Sequence, residues 1–167
     1  MALFPGWTAP DFACDTTSGP VRFHTWLGSS WGVVLTHLDD YTFQSLEAGM
    51  AWANACTRPI KVLGLDSTSH EYSVPADRPS VSLPVPRLID PSGAVQGLWH
   101  GIAVDIGCKA SAFDDDHVVY FLDPAKTIRM TLSYPISQHR DFSEVVAILH
   151  ALEADRHCGC RPALRAA

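Results

Sequence analysis

The run Thr36-His37-Leu38-Asp39-Asp40-Tyr41-Thr42-Phe43-Gln44-Ser45 closes an apolar segment and opens a helix, which puts a serine in that helix's first turn. A nucleophile held there feels the partial positive charge of unsatisfied N–H groups, and a thiolate gains from it. A serine hydroxyl keeps its proton near neutral pH, so it needs a base beside it to attack anything. His37, Asp39 and Asp40 stand a few residues upstream. An imidazole and carboxylates are the groups that shuttle protons or hold a divalent metal.

Two further patterns carry chemistry. Gly28-Ser29-Ser30-Trp31-Gly32 fits the G-x-S-x-G of hydrolase nucleophile elbows. It precedes a strand, however, whereas an elbow sits on the turn from strand to helix. Cys158-Gly159-Cys160, with His157 beside it, puts two soft ligands together but lacks the second pair that a closed zinc site needs. In a tail that runs to Ala167, a flexible terminus is the expectation, with a resolving or regulatory thiol pair as the alternative.

The elements that must position these residues are short and alternate. Val33 to Leu35, Lys61 to Leu65, Val118 to Leu122 and Ile128 to Leu132 read as buried strands. Between the first two, Phe43, Leu46, Met50 and Ala53 recur at helical spacing over Phe43 to Cys56, and Thr42 is a suitable N-cap. Strand, helix, strand predicts a parallel βαβ unit. Asp123 to Lys126 leaves room only for a hairpin between the last two strands. A final helix is expected from Asp141 to His157, with Asp141 and Glu144 as a capping box and Phe142, Val145, Val146, Leu149 and Leu152 as its apolar stripe. Residues 67 to 87, rich in proline and serine, read as an irregular surface excursion. The sum is a mixed α/β domain over residues 1–157 followed by a tail at 158–167, a thioredoxin-like plan with a central mixed sheet flanked by helices.

Composition narrows the roles. The 167 residues hold 12 basic and 18 acidic side chains, a formal charge of −6, with no basic cluster outside the tail. Nucleic acid is therefore not an expected partner. No leader pattern opens the chain and no apolar run is long enough to span a bilayer, so a membrane role is not expected either. Five cysteines are an odd number in a chain that does not need stapling, which fits a reducing cytoplasm.

Several phrases together resemble the peroxiredoxin family, the alkyl hydroperoxide reductase and thiol-specific antioxidant group, and most closely its one-cysteine branch. Pro5-Gly6-Trp7-Thr8-Ala9-Pro10-Asp11-Phe12 is similar to the family's opening signature, and Val21 through Gly32 to His37 is similar to the branch's run into its active-site loop. Val118 to Pro124, Ser133-Tyr134-Pro135 and His139 to Glu144 follow in the family's order. The resemblance implies a peroxiredoxin-type thioredoxin fold, an antioxidant oxidoreductase ancestry and a homodimer.

It also implies a departure. The family's proline, threonine and peroxidatic cysteine fall on Leu38, Thr42 and Ser45, and its active-site arginine falls on His117. Phe43 also replaces a family proline. Oxygen has no counterpart to the sulfenic acid a thiol forms and a reductant removes, so thiol peroxidase turnover is not expected. The resemblance brings His37 and His117 into one pocket with Thr42 and Ser45, lined by Leu38, Asp39, Asp40, Phe43, Trp99 and Arg140. Three uses of that pocket follow. His37 or His117 could act as acid or base with Ser45 or Thr42; His37 and His117 with a carboxylate could hold zinc or iron; or the pocket could bind a small organic molecule without turnover. The alternative is a one-cysteine peroxidase stopped by a cysteine-to-serine exchange. In the branch's lipase-like members, a serine and a histidine match Gly28 to Gly32 and His24, but the third partner falls on Ala125, with Asp123 nearby.

Overall fold

The computed structural model describes residues 3–55, 59–65, 85–99, 117–134 and 140–157. Cys56, Cys108, the Cys158-Gly159-Cys160 tail and most of the excursion at 67 to 87 lie outside the described residues.

The core sheet has four strands in the order β4-β3-β6-β7. Strands β3 (Trp31–Leu35) and β4 (Ile60–Gly64) run parallel, with Trp31 opposite Ile60 and Leu35 opposite Gly64. They are joined through α2 (Phe43–Asn54), as the βαβ reading expects. Strand β6 (His117–Leu122) pairs antiparallel with β3, Gly32 opposite Leu122 and Leu35 opposite Val119, and β7 (Ile128–Tyr134) completes the hairpin. Every residue of β3 and β6 is buried, which is why both read as continuous apolar runs.

Burial on both faces requires a layer on each side. On one face, Trp31, Val33, Leu35, Val119 and Phe121 pack against α2 and α4 (Phe142–His157) through Leu46, Ala53, Phe142, Val145, Val146 and Leu149. On the other, Val34, Val118, Tyr120 and Leu122 meet Phe23 and Leu27 of α1 (Phe23–Leu27) and Val95 and Trp99 of α3 (Ala94–Trp99). Where α2 and α4 cross, Gly49 makes room: a Cβ there would lie 2.4 Å from Cδ1 of Phe142.

A second sheet, β2-β1-β5, is not readable from sequence pattern. It comprises β1 (Ala13–Thr16), β2 (Gly19–Arg22) and the two-residue β5 (Leu88–Ile89). These strands are short and half exposed, so no apolar alternation marks them. The α2 helix stops at Asn54, two residues short of the expected Cys56, and among the described residues no helix is long and apolar enough to cross a membrane.

Candidate active site

The first turn of α2 is built by Thr42. Its backbone is extended (φ −69°, ψ 152°) and its hydroxyl accepts the N–H of Ser45 at 3.2 Å, the N-cap the sequence predicts. The hydroxyl of Ser45 is itself engaged twice. It accepts the backbone N–H of Phe142 at 2.6 Å and donates to Oδ1 of Asp141 at 3.2 Å. The same Asp141 oxygen accepts the N–H of Ser143 at 3.0 Å, so Asp141 caps α4 while it grips the start of α2. The bond from the Ser143 backbone, with smaller help from the hydroxyls of Ser143 and Ser45, holds its carboxyl below the usual carboxylate range. Replacing Ser45 with alanine leaves the Phe142 N–H without its acceptor. Urea denaturation of Ser45→Ala is expected to show a loss of about 1–2 kcal/mol, and an unchanged midpoint would remove the hydroxyl from this joint.

His37 and His117 do meet, and the sheet is the reason. Two residues beyond the Leu35–Val119 pair, the antiparallel β3–β6 register sets position 37 opposite position 117. Their rings stack with centroids 3.8 Å apart and planes 10° from parallel. Nδ1 of His117 lies 2.5 Å from Oδ2 of Asp40, and the His117 side chain is nearly buried. Nδ1 of His37 sits 3.0 Å from the hydroxyl of Thr36, which also accepts the N–H of Val118 at 2.8 Å. The result is a row of Asp40, His117, His37 and Thr36 along the end of the sheet.

A second row backs the first. The hydroxyls of Tyr41 and Tyr134 lie 2.6 Å apart, and the guanidinium of Arg140 stacks 3.7 Å over the Tyr134 ring. Burial pushes both phenols above their ordinary range, Tyr41 furthest, so they stay protonated donors. The backbone N–H of Arg140 donates to the Asp40 carbonyl at 2.7 Å, which fastens the turn Leu38–Asp40 to the segment before α4. Asp39 pairs with Arg87 at 2.6 Å. Leu38 is fully buried and Phe43 half-buried. The two tyrosines escape sequence reasoning as site residues, because a phenol inside an apolar pattern carries no sign of its partner.

Two expectations are corrected. Trp99 is not in this site: it lies on the opposite face of the sheet, edge-on to Phe23 at 5.3 Å, and its carbonyl accepts the Tyr120 hydroxyl. The zinc or iron reading of His37 and His117 does not fit the rings. Imidazole lone pairs lie in the ring plane, and two parallel rings 3.8 Å apart cannot aim them at one ion, while Asp40 already takes Nδ1 of His117. Among the described residues no group of three or more His, Cys, Asp or Glu side chains forms a metal cluster. In the lipase-like pattern, His24 and Asp123 each have other hydrogen-bond partners. Nε2 of His24 lies 2.8 Å from the Ala9 carbonyl, and Oδ1 of Asp123 accepts the N–H groups of Ala125 and Thr127 in the β6–β7 turn.

Cys14, a free cysteine among the described residues, is half-buried, and its thiol lies 3.2 Å from the Ile89 carbonyl. Burial pushes that thiol up, with Asp90 adding to the effect, so it is a poor thiolate.

A mixed sheet with α2 and α4 on one face and α1 and α3 on the other is the thioredoxin-like fold, and solved structures share it. Mycobacterium tuberculosis AhpC superposes with a TM-score of 0.68 at 20% identity, over 95% of this chain and 98% of its own. A yeast mitochondrial 1-Cys peroxiredoxin superposes with a TM-score of 0.63 at 27% identity, over 93% of this chain and 78% of its own. Peroxiredoxin-6 of Sus scrofa is 28% identical over 171 residues, covering 90% of this chain and 73% of its own length. No family model matches the chain. By sequence and by fold the chain is similar to peroxiredoxins over about nine-tenths of its length.

Proposed function

We propose that this is a peroxiredoxin-family protein without thiol peroxidase turnover, whose former peroxide pocket handles protons through Asp40, His117 and His37 and takes a small organic molecule. The observation that carries this reading is the state of Ser45. At the helix start, where the family resemblance places a reactive thiolate, stands a hydroxyl spent on Asp141 and on the Phe142 N–H. An attacking group needs a free lone pair and a base to take its proton, and Asp141, an exposed carboxylate with its own cap to hold, is a weak base for that task. The groups left for chemistry are imidazoles. A carboxylate bonded to one ring nitrogen orients that ring, the arrangement general acid–base sites use. By the same reading the chain folds as one domain with a tail from residue 158, and works as a homodimer in a reducing cytoplasm.

Peroxide consumption tests the first half. With dithiothreitol as reductant, the wild-type protein should remove hydrogen peroxide and cumene hydroperoxide no faster than buffer. Catalytic removal would overturn the proposal. A second reading, a one-cysteine peroxidase stopped by a single exchange, draws on the Thr42 cap, which is kept intact. Ser45→Cys alone would have to restore fast peroxide removal for that reading to hold. We expect it not to, because His117, tied to Asp40, stands where the family's arginine would polarise the peroxide.

A further inference from the structure

The joint between α2 and α4 brings two helix N-termini to one place, and each helix end presents N–H groups and partial positive charge. One carboxylate answers both. Asp141 accepts the Ser45 hydroxyl from α2 and the Ser143 N–H of its own helix, through the same oxygen. We propose that Asp141 is the positioning residue that closes position 45 to an anionic nucleophile: its carboxylate is the resident negative charge of the joint. This deepens the proposed function and rests on its reading of Ser45.

The surrounding charges single out Asp141. Of the acidic groups on the elements that meet here, Asp39 pairs with Arg87 and Asp40 is bonded to His117. Glu47 and Glu144, on α2 and α4, are partly or fully open to solvent. Arg140, next to Asp141 in sequence, has its guanidinium over the Tyr134 ring. Among the described residues, Asp141 is the carboxylate bonded to the side chain at position 45, at 3.2 Å. A hydroxyl suits that contact because it brings a proton to donate. A thiolate would bring a second negative charge, and like charges at this range raise a thiol's pKa against the pull of the helix end.

The test uses Ser45→Cys as a reporter and asks what Asp141 does to it. After the native cysteines are replaced by serine or alanine, the rate of alkylation by iodoacetamide is followed from acid to alkaline pH. In this reaction the thiolate sulfur bonds to carbon and iodide leaves. Asp141→Asn is the partner variant, because asparagine caps a helix as well as aspartate does and keeps the same size. Its expected effect is a fall in the pKa of the introduced thiol by about half a unit to one unit, reduced by solvent at this exposed position. Salt gives an independent check. Raising ionic strength from low to molar should lower the pKa of the Ser45→Cys protein and leave the Asp141→Asn double variant nearly unmoved. Equal pKa values in the two proteins, or equal salt responses, would overturn the assignment. A merely structural Asp141 would alter stability and move neither quantity. Failure here leaves the proposed function standing as long as the wild type is inert toward peroxide, so the two ideas fail separately.

Discussion

Truncating Phe142 to alanine should remove about 3–5 kcal/mol of stability, the largest loss expected of any single substitution near the site. Phe142 is fully buried, meets Tyr41 edge-on at 5.4 Å, and fills the notch left by Gly49 where α4 crosses α2. Its backbone N–H donates to Ser45, so its side chain and main chain hold the same joint. The matching experiment is Gly49→Ala. In an exposed helix alanine would gain about 1 kcal/mol over glycine. Here its Cβ would come 2.4 Å from Cδ1 of Phe142, a distance real structures do not tolerate, so the ring must shift. Overpacking of that kind costs about 1–3 kcal/mol, and a net destabilisation of about 1 kcal/mol or more is expected. The two substitutions touch the same space, so the double variant should lose less than the sum of the single losses. Urea midpoints at constant slope measure all three proteins. A neutral or stabilising Gly49→Ala would show that the α2–α4 crossing is looser than its geometry implies.

That crossing also shows where sequence reading succeeds and where it stops. Thr42, Phe43, Leu46, Met50 and Ala53 announce α2 because a cap and a helical period are local signals. Val118 to Leu122 announces β6 because burial on both faces leaves a continuous apolar run. The hairpin turn at Asp123 is local too, with the carboxylate accepting N–H groups two and four residues on. The site is different in kind. Ser45 and Asp141 are each readable as helix-start residues, but their bond joins positions 96 residues apart, and no periodicity encodes that pairing. The histidines make the same point more sharply. Their types and number fit a metal, yet the β3–β6 register lays the rings parallel, and a one-residue slip would have turned one ring to the other face. The apolar character of Trp99 says that it is buried and not on which side of the sheet. Tyr41 and Tyr134 are silent for the same reason: each hydroxyl finds its partner only after α2, β7 and the segment before α4 come together.

The most informative substitutions in the proposed pocket are the pair His117→Ala and His117→Asn. Alanine removes the group bonded to the Asp40 carboxylate and the ring stacked on His37. A hydrogen bond to a charged group contributes about 1.5–3 kcal/mol. Because the Asp40 side chain keeps 19% of its exposure, solvent takes up part of the loss, and about 2 kcal/mol is expected for His117→Ala. Asparagine places its amide nitrogen where Nδ1 of the imidazole stands, so it can still donate to Asp40 while lacking the second ring nitrogen that acid–base chemistry needs. His117→Asn should therefore recover more than half of that stability. The stability readout and the functional readout then part company. Small organic molecules that raise the melting midpoint of the wild-type protein should lose that effect in His117→Asn, because binding to the folded state is what shifts the midpoint. If such ligands stabilise His117→Asn as well as they stabilise the wild type, the imidazole only fills the space of the family's arginine, and the pocket's use must be sought in Tyr41, Tyr134 and Arg140. If His117→Asn is as unstable as His117→Ala, the bond to Asp40 is not what fixes this end of the sheet, and the stacked ring of His37 takes its place as the structural tie.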